Sequence, residues 1–314
     1  MTDNVTAEPA DGERAQAIAQ RIVDNVETVI VGHSDTIEQI VTAVLAGGNV
    51  LLDDVPGVGK TMLARSLARS VDGSFRRVQF TPDLLPGDIT GVNVFNQKAR
   101  EFEFQSGPIF ANVVLADEIN RAPPKTQSAL LEAMEEHQVT VDGETHPVPA
   151  PFTVIATQNS VAADQTYSLP VAEIDRFMKR LQLGYPGATE EAELLDRIVG
   201  GHPIESLSPV ATVAEIRSAQ DVVADVRVEP SIREYVTAIA EYTREHARLG
   251  VSPRGSIALV RAAQARATLA GRSYVRPSDV QSEARVTLAH RIRPTAETDS
   301  QSSVIERALD SVQV

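Results

Sequence analysis

Residues 51–62, LLDDVPGVGKTM, constrain the possible folds of this chain more than any other stretch. An apolar run that begins at Val50 predicts a buried strand, a tight turn follows at residues 56–59, and apolar residues then recur at helical spacing. A strand, a turn and a helix in this order bring successive backbone N–H groups together on an anion at the start of the helix. Lys60 would reach the outer phosphates of a nucleotide, and the Thr61 hydroxyl would ligate Mg²⁺. The stretch therefore predicts a phosphate-binding loop.

Asp54 occupies the position of the first glycine in the pattern G-x-x-x-x-G-K-[ST], which the rest of the loop matches. Aspartate tolerates left-handed backbone angles better than most residues, so the turn can still form. A carboxylate close to phosphates is nevertheless an unusual choice. Taken alone, the stretch also fits a strand, a turn and a helix with an incidental lysine.

The charge and composition of the chain exclude several classes of protein. The net charge is −14, whereas domains that bind a nucleic-acid backbone are usually basic, so we expect no nucleic-acid partner. No stretch approaches the ~18 apolar residues that cross a bilayer, and residues 1–14 do not resemble a signal peptide, so we expect no membrane insertion. Because cysteine is absent, disulfides and thiolate chemistry are excluded, which favours a cytoplasmic location.

Strand and helix patterns alternate through the first part of the chain. Helices are predicted at residues 14–29, 34–46 (with Ser34 as the N-cap), 62–70 and 125–136. Strands are predicted at residues 50–53, 75–81, 112–116, 152–156 and 181–183. Buried strands that alternate with helices predict an α/β fold with a doubly wound parallel sheet, whose ligands bind at the carboxyl ends of the strands.

The pattern changes after residue 186, because residues 188–292 show helical periodicity and no convincing strand. A polar linker at residues 294–303 and a short amphipathic helix follow. We therefore predict a disordered acidic tail at residues 1–13, an α/β domain at residues 14–186 and a helical domain with a C-terminal helix at residues 187–314.

Two acids end the apolar strand at residues 113–116 and give the second chemical signal. In an enzyme with a phosphate-binding loop, the first acid, Asp117, belongs to the Mg²⁺ shell, and the second, Glu118, polarises the attacking water. A strand that ends in a solvated acidic turn is the alternative. The order of this motif after the loop at residues 55–61 favours the functional interpretation.

A third strand, at residues 152–159, carries polar residues at its carboxyl end and is predicted to lie between the first two strands. Asn159 could orient the water and contact the γ-phosphate, or it could simply cap a turn. Arg176 and Arg254 could each stabilise the charge of a transferring phosphoryl group. By itself, either arginine could equally be a surface residue or an ion-pair partner.

The chain as a whole resembles the MoxR family of AAA+ ATPases. The most specific segment is residues 115–136, LADEINRAPPKTQSALLEAMEE, which is similar to the family's Walker B strand and the helix after it. Shorter segments add to the resemblance, at residues 56–61, 157–159, 169–170, 175–177 and 252–254. The resemblance as a whole covers about residues 25–290.

The resemblance implies an AAA+ fold, with a five-stranded doubly wound parallel sheet and a C-terminal all-helical lid domain. It implies ATP and Mg²⁺ as ligands, with Lys60 and Thr61 in Walker A, Asp117 and Glu118 in Walker B, and Asn159 as sensor 1. Thr61 and Asp117 would hold the metal. The nucleotide-binding set that it implies is Val31, Gly32, Pro56, Gly57, Val58, Gly59, Lys60, Thr61 and Met62, in which Val31 and Gly32 sit where the family contacts adenine.

The resemblance also implies roles for residues outside this set. Arg176 resembles an arginine finger that is offered to the nucleotide of a neighbouring subunit, and Arg254 resembles sensor 2 in the lid. Residues 82–109 correspond to the family's insertion in helix 2. Residues 138–150 correspond to the hairpin before sensor 1, and the Asp142-Gly143 pair is a hairpin signal.

The implied function is an ATPase that self-associates into a ring, a hexamer by resemblance, and remodels or matures partner proteins that carry von Willebrand factor A domains. Two alternatives stay open. A nucleotide-sensing oligomeric scaffold would bind ATP and hardly hydrolyse it, and Asp54 is the feature that favours it. A DNA-translocating motor would share the insertion and the hairpin, but Thr140, Asp142, Glu144 and Thr145 of the hairpin offer no basic side chain to a phosphate backbone.

Overall fold

The computed structural model of this chain describes residues 11–159, 167, 169–199, 203–295 and 300–313. Residues 1–10 of the predicted tail lie outside this range. Residues 11–13, which we assigned to the tail, belong to the first helix. The helices are α1 (Asp11–Glu27), α2 (Ser34–Leu45), α3 (Lys60–Ser70), α4 (Pro86–Thr90), α5 (Pro124–Glu136), α6 (Val171–Ile174), α7 (Ala188–Val199), α8 (Val213–Asp225), α9 (Pro230–His246), α10 (Pro253–Leu269), α11 (Pro277–Leu288) and α12 (Gln301–Ser311).

The strands are β1 (Val50–Asp54), β2 (Val71–Asp72), β3 (Phe75–Gln79), β4 (Gly91–Asn96), β5 (Glu101–Ser106), β6 (Val113–Asp117), β7 (Gln138–Val141), β8 (Glu144–Pro147), β9 (Thr153–Asn159), β10 (Lys179–Leu181), β11 (Ala211–Thr212), β12 (Ala247–Leu249) and β13 (Arg293–Pro294). Five of them form one sheet in the order β10-β1-β9-β6-β3, and every pairing in it is parallel. The prediction of a five-stranded doubly wound parallel sheet is confirmed, as is the position of β9 between β1 and β6.

Helices cover both faces of this sheet, because its central strands are apolar on both sides. Every residue of β1 and of β6 is buried. Val50 and Leu52 pack into one hydrophobic cluster with α1, α2 and α3, and Leu51 between them packs into a second cluster with α5. Alternate residues of the strand thus pack into the cores on opposite faces of the sheet. Both faces of the strand are buried, so its sequence is an unbroken apolar run.

The helical region after residue 187 shares a core with the first two helices. Ile216 and Val223 of α8 and Ala262 of α10 belong to the same cluster as Ile22 of α1 and Ile40 of α2. A separate cluster joins α9 to α12. The region also contains the short strands β11, β12 and β13, which we did not predict because two or three residues are too few to show an alternating pattern. Among the described residues, no helix is long and apolar enough to cross a membrane.

The edge strand β10 lies two residues earlier than predicted. The prediction missed its first two positions because they carry charged side chains. Lys179 is fully buried and pairs with Glu283 of α11 at 2.6 Å, and it also donates to Gln39 of α2 at 2.6 Å. Arg266 of α10 joins the same Glu283 carboxylate at 2.8 Å. Burial lowers the pKa of Lys179 to about 8, against the opposing effect of the Glu283 charge. Arg180 pairs with Asp53 on β1.

Two antiparallel hairpins project from the α/β part. The β4–β5 hairpin lies within residues 82–109, and the β7–β8 hairpin lies within residues 138–150. Asp142 and Gly143 at the tip of the second hairpin have φ angles of 51° and 89°. Two consecutive positive φ angles define the type I′ turn that favours Asp-Gly, so the hairpin prediction is confirmed. The predicted N-cap is wrong, because α2 begins at Ser34 itself and His33 precedes it without a side-chain cap.

Candidate functional site

The predicted phosphate loop connects the end of β1 at Asp54 to the start of α3 at Lys60. Gly57 and Gly59 have φ angles of 84° and 94°, and Gly59 is the N-cap of α3. Both angles lie in the left-handed region, which residues with a side chain adopt at a cost. The two glycines therefore allow the loop to turn sharply and present the N-terminus of α3 to the carboxyl edge of the sheet.

The ammonium of Lys60 lies inside this loop. Its Nζ donates to the carbonyl oxygens of Asp54 at 2.6 Å, Val55 at 3.0 Å and Gln158 at 3.1 Å. Burial lowers the pKa of Lys60, although the neighbouring carboxylates oppose the shift. The first two carbonyls belong to the loop and the third belongs to β9, so the lysine bridges two adjacent strands of the sheet.

Asp117 is the centre of a hydrogen-bond network at the end of β6. Its Oδ2 accepts from Thr61 Oγ1 at 3.1 Å, and its Oδ1 accepts from Thr157 Oγ1 of β9 at 2.6 Å. Arg77 of β3 also donates to Oδ2, through Nη2 at 2.6 Å. The predicted pair of Thr61 and Asp117 is therefore brought together, and Asp117 is held from both neighbouring strands.

Glu118 follows β6 with a left-handed backbone, at φ 56° and ψ 50°. Its Oε2 accepts from Gln79 Nε2 of β3 at 2.8 Å and from Arg121 Nη1 at 2.9 Å. Its backbone N–H donates to Thr157 Oγ1 at 2.9 Å. The sharp backbone turn directs the Glu118 side chain away from the strand and towards the edge where Gln79 ends β3.

One cavity of about 320 Å³ is lined by half of the predicted site residues. Asp54 and Asn159 are direct partners in the β1–β9 register, and Asn159 ends β9 beside the loop. The predicted residues that line this cavity are Pro56, Gly57, Lys60, Thr61, Asp117, Glu118 and Asn159. Oxygen, amide and ammonium groups thus converge at the carboxyl edge of the sheet, where α/β folds bind ligands.

The carboxylate of Asp54 does not enter this cavity. Its Oδ1 accepts from the Val55 N–H at 2.7 Å, and its Oδ2 accepts from the N–H groups of Leu183 at 2.7 Å and Gly184 at 2.6 Å. The side chain is buried, at 8% exposure. The unusual acid is therefore satisfied by backbone donors outside the phosphate loop's cavity.

Val31 and Gly32 lie in the connection between α1 and α2 and are not among the residues that line the cavity. Gly32 has a φ of 76°, and the carboxylate of Glu190 from α7 packs directly over its Cα. Val58, at 9% exposure, is buried in the loop, and Met62 of α3 packs against the hydrophobic cluster. None of these four residues lines the cavity.

Arg176 and Arg254 lie near the opposite end of β1. Both pair with Glu135 of α5, Arg176 at 2.9 Å, and Arg254 also approaches Asp175 at 3.6 Å. Arg176 and Arg254 line a second cavity together with Gly48 and Asn49, the residues that precede β1. Because a strand of five residues is about 17 Å long, the two arginines are well separated from the loop that follows β1. They are close to each other and not to Lys60 of the same chain.

Five residues that line the cavity were not identified from the residues alone, and one of them is Gln158, whose carbonyl oxygen accepts from Lys60. Arg77, Gln79, Arg121 and Thr157 all contact Asp117 or Glu118. Gln79 could have been found from its position near the carboxyl end of the predicted strand at residues 75–81, and Arg77, two residues earlier, from its place on the same face of that strand. Thr157 could have been found from its position two residues before Asn159.

Comparisons with known proteins agree with this geometry. Residues 49–179 match the family described as "ATPase family associated with various cellular activities (AAA)", and residues 239–308 match the family described as "AAA lid domain". The chain is 53% identical over 274 residues to the uncharacterised protein YeaC of Bacillus subtilis, covering 87% of this chain and 86% of that protein. It is 39% identical over 308 residues to Chaperone MoxR1 of Mycobacterium tuberculosis, covering 93% and 81% respectively.

Two further relatives extend the comparison. The chain is 32% identical over 295 residues to Protein MoxR of Paracoccus denitrificans, covering 84% of this chain and 85% of that protein. A crystal structure of a protein assigned as an ATPase, from Cytophaga hutchinsonii, superposes with a TM-score of 0.89 at 35% identity and covers 96% of each chain.

Proposed function

The chain belongs to the MoxR family of AAA ATPases and hydrolyses ATP, and from this premise we propose that Lys60, Asp117, Glu118 and Asn159 form the hydrolytic site of a ring-forming protein remodeller. The observation that supports the site most directly is the convergence of these four residues on one cavity at the carboxyl edge of the sheet. The roles of the individual residues follow from their chemistry.

Binding of the triphosphate is assigned to the loop and the start of α3. Lys60 Nζ would exchange its three carbonyl partners for phosphate oxygens, which carry full charges and bind an ammonium more strongly. The residues around the loop that we propose to contact nucleotide are Val31, Gly32, Pro56, Gly57, Val58, Gly59 and Met62. Val31 and Gly32 are proposed to contact the adenine.

A magnesium ion fits the residues at Thr61. Thr61 Oγ1 and Asp117 Oδ2 are hard oxygen donors 3.1 Å apart, and Mg²⁺ is commonly bound by one or two protein oxygens together with water and phosphate. When bound, the ion would neutralise charge on the phosphates. Arg77 shares Asp117 Oδ2 with Thr61, so it would have to release this oxygen for direct ligation.

Glu118 is proposed as the base that accepts a proton from the attacking water, which Asn159 orients. Gln79 and Arg121 hold Glu118 Oε2 in the observed conformation. Both donors occupy the oxygen atom that would receive the proton from water. We therefore propose that Glu118 becomes fully active only when these contacts loosen.

Arg176 and Arg254 are proposed to act on the nucleotide of a neighbouring subunit. Their position near the opposite end of β1 from Lys60 supports this, because neither can reach the phosphates of its own loop. Placing positive charge in trans makes hydrolysis dependent on assembly. A closed ring, proposed to be a hexamer, satisfies the requirement that every subunit both donates and receives these arginines.

The output of hydrolysis is proposed to be remodelling or maturation of partner proteins with von Willebrand factor A domains. Family membership and the chaperone name of the Mycobacterium tuberculosis relative support this proposal. We propose the cytoplasm as the compartment, because the chain lacks cysteine and requires ATP.

The observations do not favour the two alternatives. The scaffold hypothesis depended on a carboxylate beside the phosphates, and the Asp54 carboxylate bonds instead to Val55, Leu183 and Gly184. The DNA-motor hypothesis needs cations on a hairpin, and the β7–β8 hairpin contains no lysine or arginine.

Glu118→Gln tests the assignment most directly, because it preserves shape and removes the basic carboxylate. We expect phosphate release to fall about 100-fold or more while binding of Mg·ATP is retained. The matched control is Glu234→Gln, an exposed glutamate on α9. Turnover that survives in Glu118→Gln would show that the base is a different residue.

A further inference from the structure

The Asp54 carboxylate joins two segments that are far apart in the sequence. It accepts from Val55, the residue that opens the phosphate loop, and from Leu183 and Gly184, which follow β10. All three donors are backbone N–H groups within 2.7 Å of a buried carboxylate. Hydrogen bonds from backbone N–H groups to a carboxylate are shorter and stronger than those between neutral groups.

The segment that Asp54 holds leads directly into α7. The chain takes a left-handed turn at Gly184, with φ 73°, and α7 begins four residues later at Ala188. Gly187 N–H donates to the Glu190 carboxylate at 2.7 Å, and that carboxylate packs over Gly32. Arg197 near the end of α7 donates to the carbonyls of Glu27 and Thr28. The helix therefore lies across the connection between α1 and α2.

The other side of Asp54 faces Lys60. Lys60 Nζ donates to the carbonyl oxygens of Asp54 and Val55, so the ammonium and the Asp54 carboxylate are attached to the same two residues. A change in the position of Lys60 would therefore act on the same two residues that hold the Asp54 carboxylate. Leu183 and Gly184 are the next groups along this chain of hydrogen bonds.

We propose that Asp54 is a positioning residue that couples the phosphate loop to α7, so that engagement of the outer phosphate by Lys60 adjusts the helix that covers Gly32. This inference rests on the proposed nucleotide site. It gives a physical reason for an acid at the position where the general pattern has glycine, because glycine has no acceptor for the N–H groups of Leu183 and Gly184. The phosphate end and the adenine end of the site are then connected by one side chain.

Asp54→Asn and Asp54→Gly test the coupling. Asparagine keeps the shape but can accept at only one of the two oxygen positions, and glycine restores the general pattern and removes both acceptors. The matched control is Asp53→Asn, which removes the neighbouring buried charge but acts on Arg180 rather than on residues 183 and 184.

Hydrogen exchange followed by mass spectrometry provides the first measurement. Without added nucleotide, we expect the amides of Leu183 and Gly184 to exchange at least about 10-fold faster in Asp54→Gly than in the wild type, with a smaller increase in Asp54→Asn. Asp53→Asn should leave them protected. Unchanged exchange at these amides in Asp54→Gly would overturn the proposal.

The second measurement adds Mg·ADP or a slowly hydrolysed ATP analogue. In the wild type, the analogue and ADP should protect the amides of residues 188–199 from hydrogen exchange to different extents. This difference should be lost in both Asp54 variants. Binding of Mg·ADP, measured by calorimetry, should change less than about threefold, since the loop's phosphate ligands remain. If the role of Asp54 is purely structural, its variants should bind both nucleotides equally more weakly and should keep the difference in α7 protection between the analogue and ADP. That result would refute coupling. A wild-type α7 whose protection does not respond to nucleotide would refute it as well. A wild type that shows the response but releases no phosphate would refute the hydrolytic roles alone.

Discussion

Glu283→Gln should destabilise the chain strongly, because it removes the charge that balances a fully buried lysine. Lys179 on β10 and Glu283 on α11 have no exposed side-chain surface, and their charged atoms are 2.6 Å apart. Glutamine keeps the volume but leaves the Lys179 ammonium without its carboxylate. Arg266 retains Glu38 at 3.0 Å, so the unbalanced charge is concentrated on Lys179.

The expected loss follows from the cost of an isolated buried charge. Breaking a buried ion pair by removing one partner typically costs about 3–5 kcal/mol. The pKa of Lys179, lowered from 10.5 to about 8 with its partner present, corresponds to a net penalty of about 3 kcal/mol on the charged form. Domains have about 5–15 kcal/mol of total stability, so the variant should lose a large share of it.

The same pair predicts a pH dependence. In the wild type the folded pKa of Lys179 lies below its unfolded value, so the unfolded state binds more protons between about pH 8 and 10.5. The free energy of unfolding therefore rises with pH through this window. The gain is lost as the pH falls again through about 8. In Glu283→Gln the folded pKa should drop further, because the compensating charge is gone. The rise in stability should then begin below pH 8.

Urea unfolding at a series of pH values on both sides of 8 measures both effects. The control is Glu193→Gln, which breaks the half-exposed Glu193–Arg197 pair on α7 and should cost only about 0.3–0.5 kcal/mol. The double variant Lys179→Met, Glu283→Leu should recover most of the loss, since it removes both fully buried charged groups. A loss in Glu283→Gln below about 1 kcal/mol, with the wild-type pH slope, would refute the reasoning.

Two further predictions concern the proposed site. Arg77→Gln should lower the Mg²⁺ concentration that supports half-maximal turnover, because Asp117 Oδ2 would no longer be held by a guanidinium. An unchanged or raised magnesium requirement in a titration would contradict this. Arg176→Ala and Arg254→Ala should each reduce phosphate release about 10-fold or more while Mg·ATP binding is retained. Mixing either variant with Glu118→Gln subunits should restore part of the activity. No recovery in mixed assemblies would argue against action in trans.

The sheet could be predicted because its strands carry little ambiguity. Residues 50–53 and 113–116 are unbroken apolar runs, and the order of loop, acids and Asn159 placed them around one edge. The hairpin at Asp142-Gly143 was equally clear, since few other turns use that pair. β10 was displaced in our prediction because Lys179 and Arg180 are charged, and only the folded structure supplies the partners that permit their burial.

The arrangement of the site could be predicted only in part. Local patterns identified Lys60, Thr61 and Asp117, whose positions depend on elements adjacent in the sheet. The pairing of Arg176 and Arg254 with Glu135 depends on how the start of α10 is placed beside α5, which no local pattern encodes. The direction of Asp54 was likewise set by two backbone donors 129 and 130 residues away.

The hydrophobic cluster that joins α1 and α2 to α8 and α10 makes the two halves of this chain inseparable as expressed pieces. If the chain were cut near residue 187, Ile22 and Ile40 would be exposed to water on the N-terminal fragment. Ile216 and Ala262 would be exposed on the C-terminal fragment. Biochemists who wish to isolate the catalytic half should therefore expect precipitation rather than a minimal enzyme.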